Sequence, residues 1–181
     1  MSHRLSALIR SAVFVSDLDR STEFYRALGM TAVYYEGELD PASSAAVLHV
    51  PEGSRLRARI LKKEGGPNFG MIGLFELTNP PPEPMQRSAG PPRLGEVALV
   101  FYANPVDEAV ERARSAGATW SPEPVMFNMP HRSQREVCLR DPDGVLINLV
   151  ERDPFEQERL DPVTGPPAAR PPSPSPPPSR L

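Results

Sequence analysis

The chain is expected to be an α+β protein made of two copies of one βαβββ unit. Three observations carry that expectation. Residues 13–30, VFVSDLDRSTEFYRALGM, and residues 99–119, LVFYANPVDEAVERARSAGAT, both run strand, turn, helix, glycine. The spacing inside the two stretches is the same: Asp17 to Gly29 and Pro105 to Gly117 are each twelve positions. Proline divides the copies, since of 24 prolines six fall in 80–92 and ten at or beyond 154. A single βαβββ unit leaves a sheet face exposed, and a second copy can cover or complete it.

Each unit opens on a short apolar strand, SAVFV at 11–15 and EVALVFY at 96–102. In the first copy Ser16 or Asp17 can cap the helix that follows, with Asp19 and Glu23 near its positive end. Leu18, Phe24, Tyr25 and Leu28 recur at helical spacing. In the second copy Pro105 stands where a helix can begin, and Val106, Ala109, Val110 and Ala113 form the apolar stripe. Gly29 and Gly117 end the two helices. The strands that follow are expected at TAVYYE (31–36), SRLRARILK (54–62) and GMIGLFELT (70–78), and at ATWSPEP (118–124), REVCLRD (135–141) and GVLINLVE (144–151). Between them PASSAAVL reads as a short helix that leaves His49 peripheral. The units therefore span about 7–79 and 93–153, joined by a linker at 80–92 whose prolines forbid a regular helix and remove ladder donors. The segment 154–181 is too rich in proline and too poor in apolar side chains to repay its ordering entropy, and is expected to be a disordered tail.

The net charge of -3 gives no argument for nucleic acid or an anionic membrane surface as partner. No apolar run approaches the roughly 18 residues of a spanning helix, and no small-residue cleavage site follows the N-terminal apolar patch. Cys138 is the only cysteine, which suits a reducing cytoplasm, and in EVCLRD it reads as a small core residue. The sequence holds no phosphate-binding loop, dinucleotide fingerprint or Ser–His–Asp arrangement.

VSDLDRSTEFYRALGM resembles the opening signature of the vicinal oxygen chelate superfamily, the glyoxalase, bleomycin-resistance and extradiol-dioxygenase group, and DPDGVLINLVE at 141–151 resembles its closing signature. The resemblance covers about residues 8–152. It implies sheets that curve into a half-open cup where a small molecule binds, a homodimer, and chemistry that usually rests on a divalent metal. The ligands, usually His, Glu or Gln, sit on the first and last strands of the modules and suit metals that polarise vicinal oxygens.

Residue by residue, the family's positions fall on Arg10, seven residues before Asp17, on Glu76 in FEL, on Ala98, and on Asn148 in INL. Strand alternation sets Arg10, Ala12 and Phe14 on one face, and Glu96 with Ala98 and Val100. A guanidinium offers no lone pair and repels a cation, so neither a classical metal site nor another cofactor is expected. Arg10 is then expected to pair with Glu76, or failing that with Glu96. The pair either clamps the cup or leaves part of the Arg10 fork for a carboxylate, phosphate or enolate of a ligand. A further reading is a metal-free enzyme in which Arg10 acts as electrophile and either Glu76 or His131, the latter on a loop after NMP that could run as a lid, acts as base. The wall of the pocket is expected from Phe14, Tyr34 or Tyr35, Leu74, Trp120, Met126 and Phe127, with Glu96, Ala98 and Asn148. Arg57 and Arg59 read as a solvated strand face. The reading is thus a small-molecule protein of glyoxalase type without the metal. Its alternatives are a metal-dependent enzyme of the lactoylglutathione-lyase or dioxygenase type, and a drug-sequestering protein of the bleomycin-resistance type.

Overall fold

A computed structural model describes residues 6–83, 89–130 and 132–155. The elements run β1 (Arg10–Phe14), α1 (Leu18–Ala27), β2 (Ala32–Glu38), α2 (Pro41–Leu48), β3 (Arg55–Lys62) and β4 (Met71–Thr78). The second half follows with β5 (Ala98–Ala103), α3 (Val106–Ser115), β6 (Val125–Met129), β7 (Arg132–Arg140) and β8 (Leu146–Glu151). Two four-stranded mixed sheets result, ordered β1-β4-β3-β2 and β5-β8-β7-β6. In each, the first strand lies parallel to the last and the remaining pairs are antiparallel.

The two helices begin and end as the sequence dictates. The Asp17 side chain accepts from the Arg20 N–H at 2.9 Å and caps α1. Pro105 caps α3 with no side-chain bond, and Asp107 and Glu108 place negative charge in its first turn instead. After the helices, Gly29 and Gly117 both adopt φ of +98°, a conformation that favours glycine.

The halves meet through their helices. α1 and α3 pack against each other, and one core joins Val13, Phe24, Tyr25, Leu61, Ile72 and Leu74 of the first half to Val106, Val110, Ala113, Leu139, Ile147 and Leu149 of the second. Burying each Val, Leu, Ile or Phe among them contributes about 1.5–3 kcal/mol. Polar contacts lock the same interface. Asp143 accepts from the Ser16 N–H, from the Ser16 and Ser21 hydroxyls and from Arg20, while the Tyr25 hydroxyl donates to Asp141 at 3.0 Å. A second, smaller cluster forms on the opposite face of the first sheet, where Leu48 of α2 and Val50 pack on Leu56, Ala58, Phe75 and Leu77.

One strand is displaced from its expected place. The segment 118–124 forms only an isolated bridge, Trp120 with Arg140, and β6 lies at Val125–Met129. Pro122 and Pro124 lack the N–H a ladder needs, so the strand starts after them. Past NMP, Arg132 and Arg135 stand in β7 rather than on a loop. The linker residues 84–88 and the tail from 156 onward lie outside the described residues.

Candidate functional site

The repeat extends to the side chains that hold the helices. At the end of β4, Glu76 accepts from the Leu18 N–H of α1 at 3.3 Å, and its other oxygen accepts from Arg57 at 3.0 Å. At the end of β8, Glu151 accepts from the Val106 N–H of α3 at 3.4 Å, with Arg135 3.7 Å away. Arg57 also reaches Asp19, and Arg135 makes a bidentate pair with Asp107, whose carboxyl is held below its ordinary range mainly by that hydrogen bond. Each sheet thus anchors its helix N-terminus with a carboxylate and steadies that carboxylate with an arginine. Arg59, 9% exposed, joins the network through Asp19, Thr22 and Glu36. Arg59 is therefore not on a solvated face.

This geometry corrects the expected role of Glu76. Its counterpart is Glu151, three residues beyond Asn148, so Asn148 corresponds to Gly73. Strand pairing agrees, since Ala12 lies beside Gly73 and Val100 beside Asn148. Glu76 shares its face with Ile72 and Leu74 of the common core, whereas Arg10 shares the other face with Phe14, Gly73 and Phe75. Arg10 and Glu76 therefore do not pair. Glu96 is also unavailable to Arg10. It takes both guanidinium nitrogens of buried Arg140, at 3.0 and 2.8 Å, and that hydrogen bonding lowers its pKa.

The face of the first sheet away from the common core is closed at one end by Leu48 and Val50, and its open end holds a compact cluster. The Arg10 guanidinium lies 5.9 Å from the Phe75 ring centroid, and the Phe14 and Phe75 centroids are 5.8 Å apart. A Cβ on Gly73 would fall 2.9 Å from Phe75 Cε2 and 3.3 Å from Arg10 Cδ, so the glycine lets both side chains lie flat on the sheet. Tyr35, opposite Ile60 on β3, lies over Gly37 on the same face. Phe14 and Tyr35 remain 42% and 37% exposed. Among the described residues Arg10 has no carboxylate partner.

The open face of the second sheet carries Ala98, Val100 and Asn148, then Cys138, Glu136 and Gln134 on β7, and Phe127 on β6. Trp120 stands beside Arg140 at the end of this face. Of the expected wall, Leu74 is fully buried in the common core and Met126 pairs with Arg135 on the helix side, so neither belongs to the open face. His131 lies outside the described residues. Sequence reasoning passed over Gly73, Phe75, Gln134 and Glu136. The first two were legible in the match of GLFE (73–76) to NLVE (148–151).

Two βαβββ sheets packed through their helices, each with an open face, define the architecture of paired-module small-molecule proteins. The model of the Glyoxalase/Bleomycin resistance protein/Dioxygenase superfamily matches residues 7–149, and the chain belongs to that superfamily. Solved structures share the fold. A glyoxalase family protein from Bacillus cereus superposes with a TM-score of 0.67 at 22% identity, covering 82% of this chain and 95% of that one. A glyoxalase family protein from Enterococcus faecalis gives 0.51 at 18%, covering 80% and 96%. A glyoxylase/bleomycin resistance protein/dioxygenase domain from Frankia sp. gives 0.51 at 18%, covering 83% and 94%. Comparison with curated protein sequences finds no match.

The superfamily's metal can be tested against the side chains present. The equivalent open-face positions are Arg10, Gly73, Ala98 and Asn148. They offer one amide oxygen, no carboxylate, no imidazole and one fixed positive charge, which is not a donor set for a divalent ion. Among the described residues no three His, Cys, Asp or Glu side chains converge to hold one. The residues at these positions do not fit the group.

Proposed function

We propose that the protein binds a small anionic, ring-bearing metabolite or drug on its open sheet faces and does so without the divalent metal. One observation carries this reading. Arg10 stands on the first strand with no carboxylate partner among the described residues and is backed by Phe75 and Phe14. A guanidinium fork binds a carboxylate or phosphate oxygen pair, and the half-exposed Phe14 ring supplies an apolar wall that buried Phe75 backs. Binding rather than turnover is favoured because, among the described residues, no carboxylate pairs with Arg10 to act as base. Glu76 is committed to α1 on the other face of the sheet.

The active form in this reading is a homodimer. β1 and β5 are edge strands, and Phe14, Val100 and Phe127 are half-exposed on the open faces, flanked by exposed Leu8, Ile9, Leu94 and Val97. A second copy covers this apolar surface and closes the cup. No helix is long and apolar enough to cross a membrane among the described residues, and the one cysteine is unpaired, which suits the cytoplasm.

The test has two parts. Elemental analysis of the purified protein after dialysis against Mn, Fe, Zn and Ni is expected to show no retained ion, and about one ion per cup would refute the metal-free reading. Thermal-shift titration with 3-phenylpropionate is expected to stabilise the wild type and to leave Arg10→Ala unchanged. Equal stabilisation of both would refute the role of Arg10.

A further inference from the structure

We infer that the open face of the second sheet is a separate recognition site for a hydrogen-bond-donating head group, a primary ammonium carried beside a planar ring. The inference rests on the reading of the open faces as a small-molecule surface, but it uses none of the residues around Arg10. Gln134 and Glu136 alternate on β7, and Asn148 lies on neighbouring β8 opposite Cys138. The Gln134 amide nitrogen donates to Glu136 Oε1, and the Asn148 amide nitrogen donates to Glu136 Oε2 at 3.4 Å. An ionised carboxylate only accepts, so Glu136 fixes which end of each amide faces it. Both amide oxygens are left for something else.

Gln134 is only 8% exposed, and its Oε1 atom is buried with no hydrogen-bond partner. A buried acceptor without a donor is costly, and native structures rarely tolerate one unless a ligand, ion or water supplies the donor. Among the described residues no donor on this face bonds to it. Arg140 is committed to Glu96 and to the carbonyls of Gly90, Pro91 and Gly144. Arg132 is exposed two positions along β7 and makes no bond to Gln134. An ammonium carries three donors. It can serve the Gln134 and Asn148 oxygens together and take its counter-charge from Glu136. Phe127, paired with Gln134 across β6 and β7 and 48% exposed, supplies a ring face for the ligand's planar part and for its cation. Where the first sheet presents a cation beside aromatic rings, the second presents a carboxylate and two carbonyl oxygens beside one.

The test follows the side-chain amide signals of Gln134 and Asn148 by NMR in the ¹⁵N-labelled full chain. The probes are phenethylammonium, 2-phenylethanol and 3-phenylpropionate. Phenethylammonium is expected to shift both amide signals, with 2-phenylethanol at least about tenfold weaker. Glu136→Gln is expected to weaken phenethylammonium binding by about tenfold or more. Gln134→Leu, which removes the buried acceptor together with the donor to Glu136 Oε1, is expected to lose phenethylammonium affinity, and unchanged affinity would overturn the site. Arg10→Ala leaves this binding intact. No shift with phenethylammonium, an equal response to 2-phenylethanol, or unchanged affinity in Glu136→Gln would overturn the site and assign the Gln134 oxygen to water. If 3-phenylpropionate binds through Arg10 while phenethylammonium fails, this inference alone is wrong. The reverse outcome refutes the Arg10 reading alone.

Discussion

Replacing Arg140 tests how the linker and the second sheet are held. The side chain is fully buried, yet every N–H it owns has an acceptor. Nε donates to the Gly90 carbonyl, Nη1 to Glu96 and the Gly144 carbonyl, and Nη2 to Glu96 and the Pro91 carbonyl, over 2.8–3.1 Å. Arg140→Met removes all of these donors and leaves the carboxylate without its counter-ion. Removing one partner of a buried ion pair costs about 3–5 kcal/mol. Glu96 retains the Arg93 N–H and some contact with water, so the lower end, about 3 kcal/mol, is expected. In a domain stable by about 5–15 kcal/mol, that is a fifth or more of the total. Arg140→Lys, with three donors in place of five, falls between the two. Urea unfolding followed by Trp120 fluorescence is the assay, because the only tryptophan pairs its backbone with Arg140. A loss below about 1 kcal/mol with an unchanged denaturant slope would refute the reasoning, since it would mean that solvent replaces the whole network at little cost.

Three further outcomes follow from the same geometry. Burial raises the Asp141 pKa despite the Val145 N–H and Tyr25 hydroxyl it accepts from, so its protonated form favours the fold. The stability of wild type relative to Asp141→Asn is therefore highest below the unfolded value of about 3.9 and falls as pH rises through the raised folded value; a rise over that window refutes it. Glu76→Gln is expected to destabilise the first half through the α1 N-terminus and to leave 3-phenylpropionate affinity unchanged, and a binding loss at constant stability would restore Glu76 to the site. Gly73→Ala places a methyl against buried Phe75 and against Arg10, so it is expected both to lower the thermal midpoint and to weaken 3-phenylpropionate binding several-fold, and unchanged affinity in a ligand titration would refute the arrangement.

Much of the fold was legible in the sequence because the repeated unit is local. Asp17 as cap, the stripe Leu18, Phe24 and Tyr25, and the positive-φ glycines at 29 and 117 are all set by neighbours within a few positions. The displacement of β6 past Pro122 and Pro124 was also local, since a strand without donors cannot join a ladder. The site was less legible because faces depend on register. Counting from the triplets FEL and INL placed Glu76 and Asn148 in one set. The pairing of Ala12 with Gly73 and of Val100 with Asn148 separates them. A slip of one residue exchanges the two faces of a strand. Glu76 lies three residues from Gly73, an odd offset that puts it on the other face, and so a helix anchor was read as an expected catalytic group. Long-range charge pairing was equally hidden. Nothing near Glu96 in the sequence announces Arg140, which lies 44 positions away.

The repeat also shows where the two halves were free to diverge. The anchors of the helices are kept in both copies: Glu76 with Arg57 and Asp19, Glu151 with Arg135 and Asp107. These groups satisfy helix N-termini, an obligation each module carries whatever it binds. On the open faces no such obligation exists, and the copies differ at each corresponding position. Arg10 stands against Ala98, Gly73 against Asn148 and Phe75 against Val150. A symmetric pair of faces would bind a symmetric ligand or ion. In the proposed reading, one face whose Arg10 has no carboxylate partner among the described residues and one with a carboxylate and two carbonyl oxygens complement a molecule with two unlike ends. If the second copy of a dimer brings a first-sheet face against a second-sheet face, that molecule is held across the join. In the proposed reading its acid would meet Arg10, its donor Gln134 and Glu136, and its ring would lie between the half-exposed Phe14 and Phe127.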